Sequence, residues 1–132
     1  MQDTLPHPDL AQLRELARQS AAITQDCNCR SVDSSGWISL PLSLPETQLV
    51  DIATLIVDPY DEPTFTEYHP DGTRYASPEA PIAPAWYPYN RCNIARCQQC
   101  GRHLLRYMEA GGYFVDRRIR ALERPELVVD GS

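Results

Sequence analysis

The chain has no lysine, only three histidines and no long apolar run, and these absences remove whole classes of function. Without lysine there is no phosphate-binding Gly-rich loop ending in Gly-Lys, and neither a nucleophile elbow nor an H-E-x-x-H motif occurs. The zinc deaminase pattern needs H-x-E ahead of its P-C-x-x-C, and that pair is missing as well. His7, His69 and His103 are scattered; His69 sits in a turn signal and His7 near the start, both surface positions. A nucleophile pairing Cys92 with His103 is the one catalytic arrangement left, and no motif surrounds it. No stretch approaches the ~20 apolar residues that span a bilayer. The opening residues MQDTLPHPDLAQL lack a basic region followed by an apolar one, so they do not read as a secretory signal. The expectation is a cytoplasmic, non-enzymatic protein without membrane association.

What the chain does have is proline, arginine and cysteine. Twelve prolines, a hydrophobic content of 42% and a mean hydropathy of −0.42 describe one domain of 132 residues with much irregular chain. Burial alone offsets little of the ordering entropy in such a chain, so a cross-link would help it. Charge is divided unevenly. Residues 1–90 hold four arginines against 13 acidic residues, and residues 91–124 hold eight against three. An acidic body with a basic C-terminal segment implies internal pairing or two surfaces with different partners.

Residues 8–23 read as a helix with Asp9 as N-cap and Leu10, Leu13, Leu16, Ala17 and Ile23 as its apolar stripe. GWISLPLSLPE reads as extended, confined to an edge by Pro41, and LVDIATLIV as a buried strand. TFTEYHPDGTRYAS has a strand–turn–strand pattern with a type I turn at His69–Gly72. Residues 77–90 contain four prolines and are expected to cross the molecule as extended chain. Residues 91–116 read as a cysteine knuckle followed by a hairpin around Gly111-Gly112, which leads into a short helix near DRRIRALERPEL. The fold class is α+β: a small antiparallel sheet, an N-terminal helix and a zinc-knuckle hairpin.

Five cysteines with no sign of export read as metal ligands before disulfides. Cys97-Gln-Gln-Cys100-Gly101 is a knuckle signature: the spacing lets both thiolates face one ion, and glycine tolerates the left-handed backbone that follows. Cys27-Asn-Cys29 supplies a second pair. The assignment is Cys27, Cys29, Cys97 and Cys100 around structural Zn2+, a closed site with no position for substrate. A local quartet of Cys92, Cys97, Cys100 and His103 is the alternative, though its spacing matches no common finger. Otherwise Cys92 is a small buried hydrophobe.

Cys27, Cys29, Ser31, Gly36 and Trp37, followed by HPDGTRYASPEAPIAPAWYPYNRC and CQQCGRHLLRYMEAGGYFVDRRIR, carry a resemblance over about residues 27–124. They resemble small uncharacterised bacterial zinc-knuckle proteins with a C-x-C pair and a later C-x4-C-x2-C-G segment. The resemblance implies one domain with all five cysteines in its signature, and it brings no activity with it. In spacing alone, C-x-C with C-x-x-C also resembles the zinc sites of redox-regulated chaperones, where the two pairs lie close in sequence.

Two binding functions follow. Asp58, Asp61 and Glu62 lie near Tyr60 and Phe65, and Trp86, Tyr87 and Tyr89 are residue types that dominate interface hot spots. These six residues mark a protein-binding surface that caps a basic toxin or enzyme, as an inhibitor or immunity protein does. The alternative is a zinc-ribbon-like nucleic-acid binder. It would use Arg91, Arg96, Arg102, Arg106, Arg117, Arg118 and Arg120 with Tyr107, Tyr113 and Phe114, against an overall charge of −6.

Overall fold

Asp9 begins α1 (Leu10–Ala21), the one α-helix among the described residues, and a reciprocal cap sets its start. The Gln12 N–H donates to Asp9 Oδ1 at 2.8 Å, and the Asp9 N–H donates back to Gln12 Oε1 at 2.9 Å. Leu13, Ala17 and Ser20 recur at helical spacing and form the buried stripe. The structure is a computed structural model that describes residues 5–58, 60–111 and 114–131.

Five strands form an antiparallel sheet in the order β1-β5-β4-β3-β2, which makes the fold α+β. They are β1 (Ile38–Ser39), β2 (Leu49–Thr54), β3 (Asn93–Cys97), β4 (His103–Gly111) and β5 (Phe114–Ala121). Alternation along β4 assigns neighbouring leucines to opposite faces. Leu105 joins the larger core with Leu13, Ala17, Trp37, Leu55, Tyr89, Ile94 and Leu122. Leu104 joins a smaller one with Cys29, Leu44, Leu49, Ala95, Cys97 and Ile119. The smaller core lies under residues 27–49, and so the segment after the helix becomes a cover for one end of the sheet. That cover runs close to its neighbour at Gly36, where a Cβ would stand 2.1 Å from the Ala76 carbonyl oxygen.

Two expectations are corrected. Of the helix expected near residues 116–127, residues 116–121 belong instead to β5, which pairs with β4 along its length. Only Pro125–Leu127 forms a helical turn, of 3-10 type. Residues 64–77 keep their turn, with the Gly72 N–H donating to the His69 carbonyl at 3.2 Å, but they form no strand: the neighbouring segment meets them through the Tyr87 N–H on the Thr66 carbonyl at 2.9 Å without building a ladder among the described residues. The hairpin connection at Gly112 and Tyr113 lies outside the described residues. No helix among the described residues is long and apolar enough to cross a membrane.

Candidate metal centre

β3 ends on Cys97, and the next four residues turn back on themselves. The Gly101 N–H donates to the Cys97 carbonyl and the Cys97 N–H to the Arg102 carbonyl, both at 2.8 Å. Gly101 holds φ +87°, a conformation that favours glycine, and this brings the Cys100 thiol around beside that of Cys97. Cys27 and Cys29 are presented by a 3-10 turn, closed by the Arg30 N–H on the Cys27 carbonyl at 3.0 Å. Asn28, between them, anchors the turn through its side-chain N–H groups to the Ser43 carbonyl at 3.0 Å and Gln48 Oε1 at 3.1 Å.

The two pairs converge. Cys27 Sγ lies 3.7 Å from Cys97 Sγ and Cys29 Sγ 3.5 Å from Cys100 Sγ, and all four sulfurs fall within 4.8 Å of one another. All are free thiols. Four thiolates in a tetrahedron around zinc, at the usual zinc–sulfur bond of about 2.3 Å, would stand about 3.8 Å apart. The cluster is therefore sized for a small tetrahedral metal ion, and its donor set of four sulfurs suits a soft or borderline cation.

Nitrogen donors surround the sulfurs. The Gln48 amide donates to Cys97 Sγ at 3.3 Å and to Cys27 Sγ at 3.6 Å, and Arg102 Nη1 donates to Cys100 Sγ at 3.6 Å. Without a metal the four thiols share protons unequally. Burial pushes Cys27 and Cys29 up, and the neighbouring Cys100 pushes Cys29 further. Burial also works to raise Cys97. The Gln48 amide, the backbone N–H groups of Cys100 and Gln99 and the Cys27 thiol outweigh it, however, and lower Cys97 from 9.0 to about 6. A depressed thiol stabilises the fold in full above its unfolded value and loses that contribution as the pH falls through its folded value, here about 6.

The alternative quartet does not assemble. Cys92 is fully buried and donates its thiol to the Pro88 carbonyl at 3.2 Å, the small-hydrophobe role expected of it. His103 Nδ1 donates to the Leu16 carbonyl at 2.8 Å, tying β4 to the helix. His69 is held in its own loop by Glu67 at 2.7 Å and Thr73 at 2.8 Å.

The six residues expected to bind a partner do not share one surface. Asp58, Asp61 and Glu62 are exposed, and none has an ion pair among the described residues. Around them Val57 is 85% exposed, Tyr60 95% and Phe65 60%. Trp86 is half-buried and donates to the Gly131 carbonyl at 2.8 Å; Tyr87 is half-buried beside Phe65, with ring centroids 5.5 Å apart. Tyr89 lies in the core, accepting from Trp37 Nε1 at 3.3 Å and from Arg120, which takes it away from any docking face.

The arginines of the C-terminal third are mostly engaged. Arg106 pairs with Asp51 at 2.8 Å, Arg117 with Glu46 at 2.7 Å, and Arg118 with Asp116 at 2.8 Å and Glu109 at 3.0 Å. The Arg91 guanidinium lies 4.2 Å from the Phe65 ring centroid and 4.9 Å from that of Tyr87. Arg120 and Arg102 are buried, Arg96 is exposed, and Tyr107 is buried. Tyr113 and the Phe114 side chain lie outside the described residues.

Sequence reasoning misses Gln48 and Arg102 as neighbours of the metal centre. Both are polar residues that ordinarily face water, and nothing in their spacing places them beside sulfur. Comparison of the chain with protein families, curated proteins and solved structures finds no match. Of the expected zinc-knuckle character, the convergence of Cys27, Cys29, Cys97 and Cys100 is the part the structure supports.

Proposed function

We propose that this chain is a non-enzymatic, zinc-stabilised protein-binding module whose acidic loop docks a basic partner, in the manner of an inhibitor or immunity protein. The observation that carries this reading is the exposed segment 57–65. Val57, Tyr60 and Phe65 offer apolar anchors to solvent between Asp58, Asp61 and Glu62, none of which has a cation partner among the described residues. Large exposed apolar groups interleaved with unpaired charge are the composition of an interface: the aromatics hold the complex and the charge steers encounter. Pairing of Arg106 and Arg117 with the acidic body, and of Arg118 with Asp116 and Glu109, leaves the −6 surplus on segments such as this loop. It also withdraws support from the nucleic-acid alternative. Four reduced thiols at the centre fit a reducing compartment such as the cytoplasm.

The test is a comparison of wild type with the Asp61→Arg, Glu62→Arg double variant and with Tyr60→Ala. Proteins captured from source cells should be enriched in basic ones. Association measured with a purified captured partner should slow about tenfold or more in the charge-reversed variant and lose its salt dependence. Tyr60→Ala should raise the off-rate instead. Unchanged kinetics in both variants would reject the docking loop. A salt-sensitive shift of RNA or DNA in a gel would reject the protein-binding reading in favour of nucleic acid.

A further inference from the structure

Gln48 and Arg102 have a chemistry that the staple alone does not require. Both are polar, both are buried, and each aims an N–H at the sulfur cluster. Gln48 serves Cys27 and Cys97; Arg102 serves Cys100, whose sulfur lies 3.5 Å from that of Cys29. Neither side chain is free to turn elsewhere. Gln48 and Asn28 exchange two amide hydrogen bonds, of 2.7 and 3.1 Å, and Asn28 is the residue between the two N-terminal ligands. Arg102 is fixed at its other nitrogen, Nη2, by the Ile23 carbonyl at 3.0 Å, just past the helix end.

Sulfur is a weak hydrogen-bond acceptor as a thiol and a good one as a thiolate. Buried donors arranged this way are therefore satisfied best when the sulfurs have given up their protons. Four thiolates around a divalent ion carry a net charge of two minus, and burying that charge is costly unless a cation lies beside it. Arg102 is that cation. No carboxylate among the described residues competes for it: its guanidinium reaches a sulfur and a backbone carbonyl.

We propose that Gln48 and Arg102 are positioning residues of the metal centre, which donate hydrogen bonds to three of its four sulfurs, cancel part of the buried negative charge and so set how tightly the divalent ion is retained. The inference rests on the reading of the cluster as a metal site. It separates two parts: Gln48 orients, and Arg102 neutralises.

Zinc competition against a chelator and the absorption spectrum of the cobalt-loaded protein test it, in wild type, Arg102→Met, Arg102→Lys and Gln48→Leu. Outer-shell partners of metal ligands are worth about 10- to 100-fold in affinity, and a loss of that size is expected for Arg102→Met and Gln48→Leu. Stripping donors from the thiolates makes them richer in electrons, so the thiolate-to-cobalt charge-transfer band should move to lower energy in both. A merely structural defect would not move that band. Arg102→Lys keeps the charge without the planar fork and should recover part of the affinity. Should Arg102→Met fail to fold, Gln48→Leu and Arg102→Lys are read by the same criteria. Affinity within about threefold of wild type and an unmoved band in the folded variants would overturn the inference. A lysine variant that binds no better than the methionine one would overturn its charge component. A wild type that takes up neither zinc nor cobalt would overturn the metal reading and this inference with it, whereas a loaded wild type with indifferent variants overturns this inference alone.

Discussion

Cys97→Ser is expected to release the metal and to leave the chain largely unfolded at room temperature. Cys29 and Cys97 are separated by 67 intervening residues, so an ion held by all four cysteines would close a very long loop. By analogy with a disulfide, that closure removes roughly 4 kcal/mol of unfolded-state entropy. Binding of structural zinc to a peptide adds an apparent ~10–16 kcal/mol near neutral pH. Domains of this size have a total stability of about 5–15 kcal/mol, so the loss is comparable with the whole. Serine conserves the size of the side chain but supplies no thiolate, and Cys97 belongs to the smaller core, with Leu44, Leu49 and Leu104 around it. Native mass spectrometry with and without chelator, together with thermal melts, checks this. A serine variant that keeps its metal, or a chelator-treated wild type as heat-resistant as the loaded one, would reject the assignment. Cys92→Ser should leave the metal in place, since that thiol lies outside the cluster.

Arg120→Met is expected to cost about 3–5 kcal/mol and to lower the melting temperature by roughly 10–20 °C without touching metal content. Arg120 is only 1% exposed, and it sits in the interior without a carboxylate partner among its hydrogen bonds. Its guanidinium donates to the carbonyls of Ser35 at 3.1 Å, Pro78 at 3.1 Å and Ala80 at 2.9 Å, and to the Tyr89 hydroxyl. One strand residue thereby ties together the two irregular segments around Ser35 and Pro78–Ala80. Methionine fills much of the volume but leaves those buried acceptors unpaired, the costly half of the exchange. Arg120→Lys should fall between, because an ammonium reaches fewer acceptors from one point. A methionine variant within about 1 kcal/mol of wild type would show that the acceptors find other donors.

Features fixed by neighbours along the chain are legible in the sequence alone. The Asp9 cap with its Leu13 and Ala17 stripe is local, and so is the C-x-x-C-G turn with its left-handed glycine. The sheet strand at 114–121 reads as helix in part because its charges mask a two-residue alternation that only pairing with β4 makes decisive. The strands expected around His69 fail for the complementary reason: the pattern is there, but the neighbouring segment, whose Tyr87 N–H meets the Thr66 carbonyl, supplies no ladder among the described residues. Convergence of Cys27 and Cys29 on Cys97 and Cys100 is an expectation from chemistry, to which the sequence attaches no distance. Gln48, Arg102 and Arg120 are illegible, since a buried polar side chain is defined by what surrounds it, and its surroundings come from distant parts of the chain.

Segment 57–65 is gripped at its base. Arg91 donates to the carbonyls of Pro63 at 3.0 Å and Thr64 at 3.3 Å, Asn90 reaches Thr64 at 2.8 Å, and the Tyr87 N–H holds the Thr66 carbonyl at 2.9 Å. If the segment docks a partner as proposed, the anchored end at residues 63–66 gives up little freedom on capture. The same residues cut out as a free peptide would lack that anchorage and would be expected to let go of such a partner sooner.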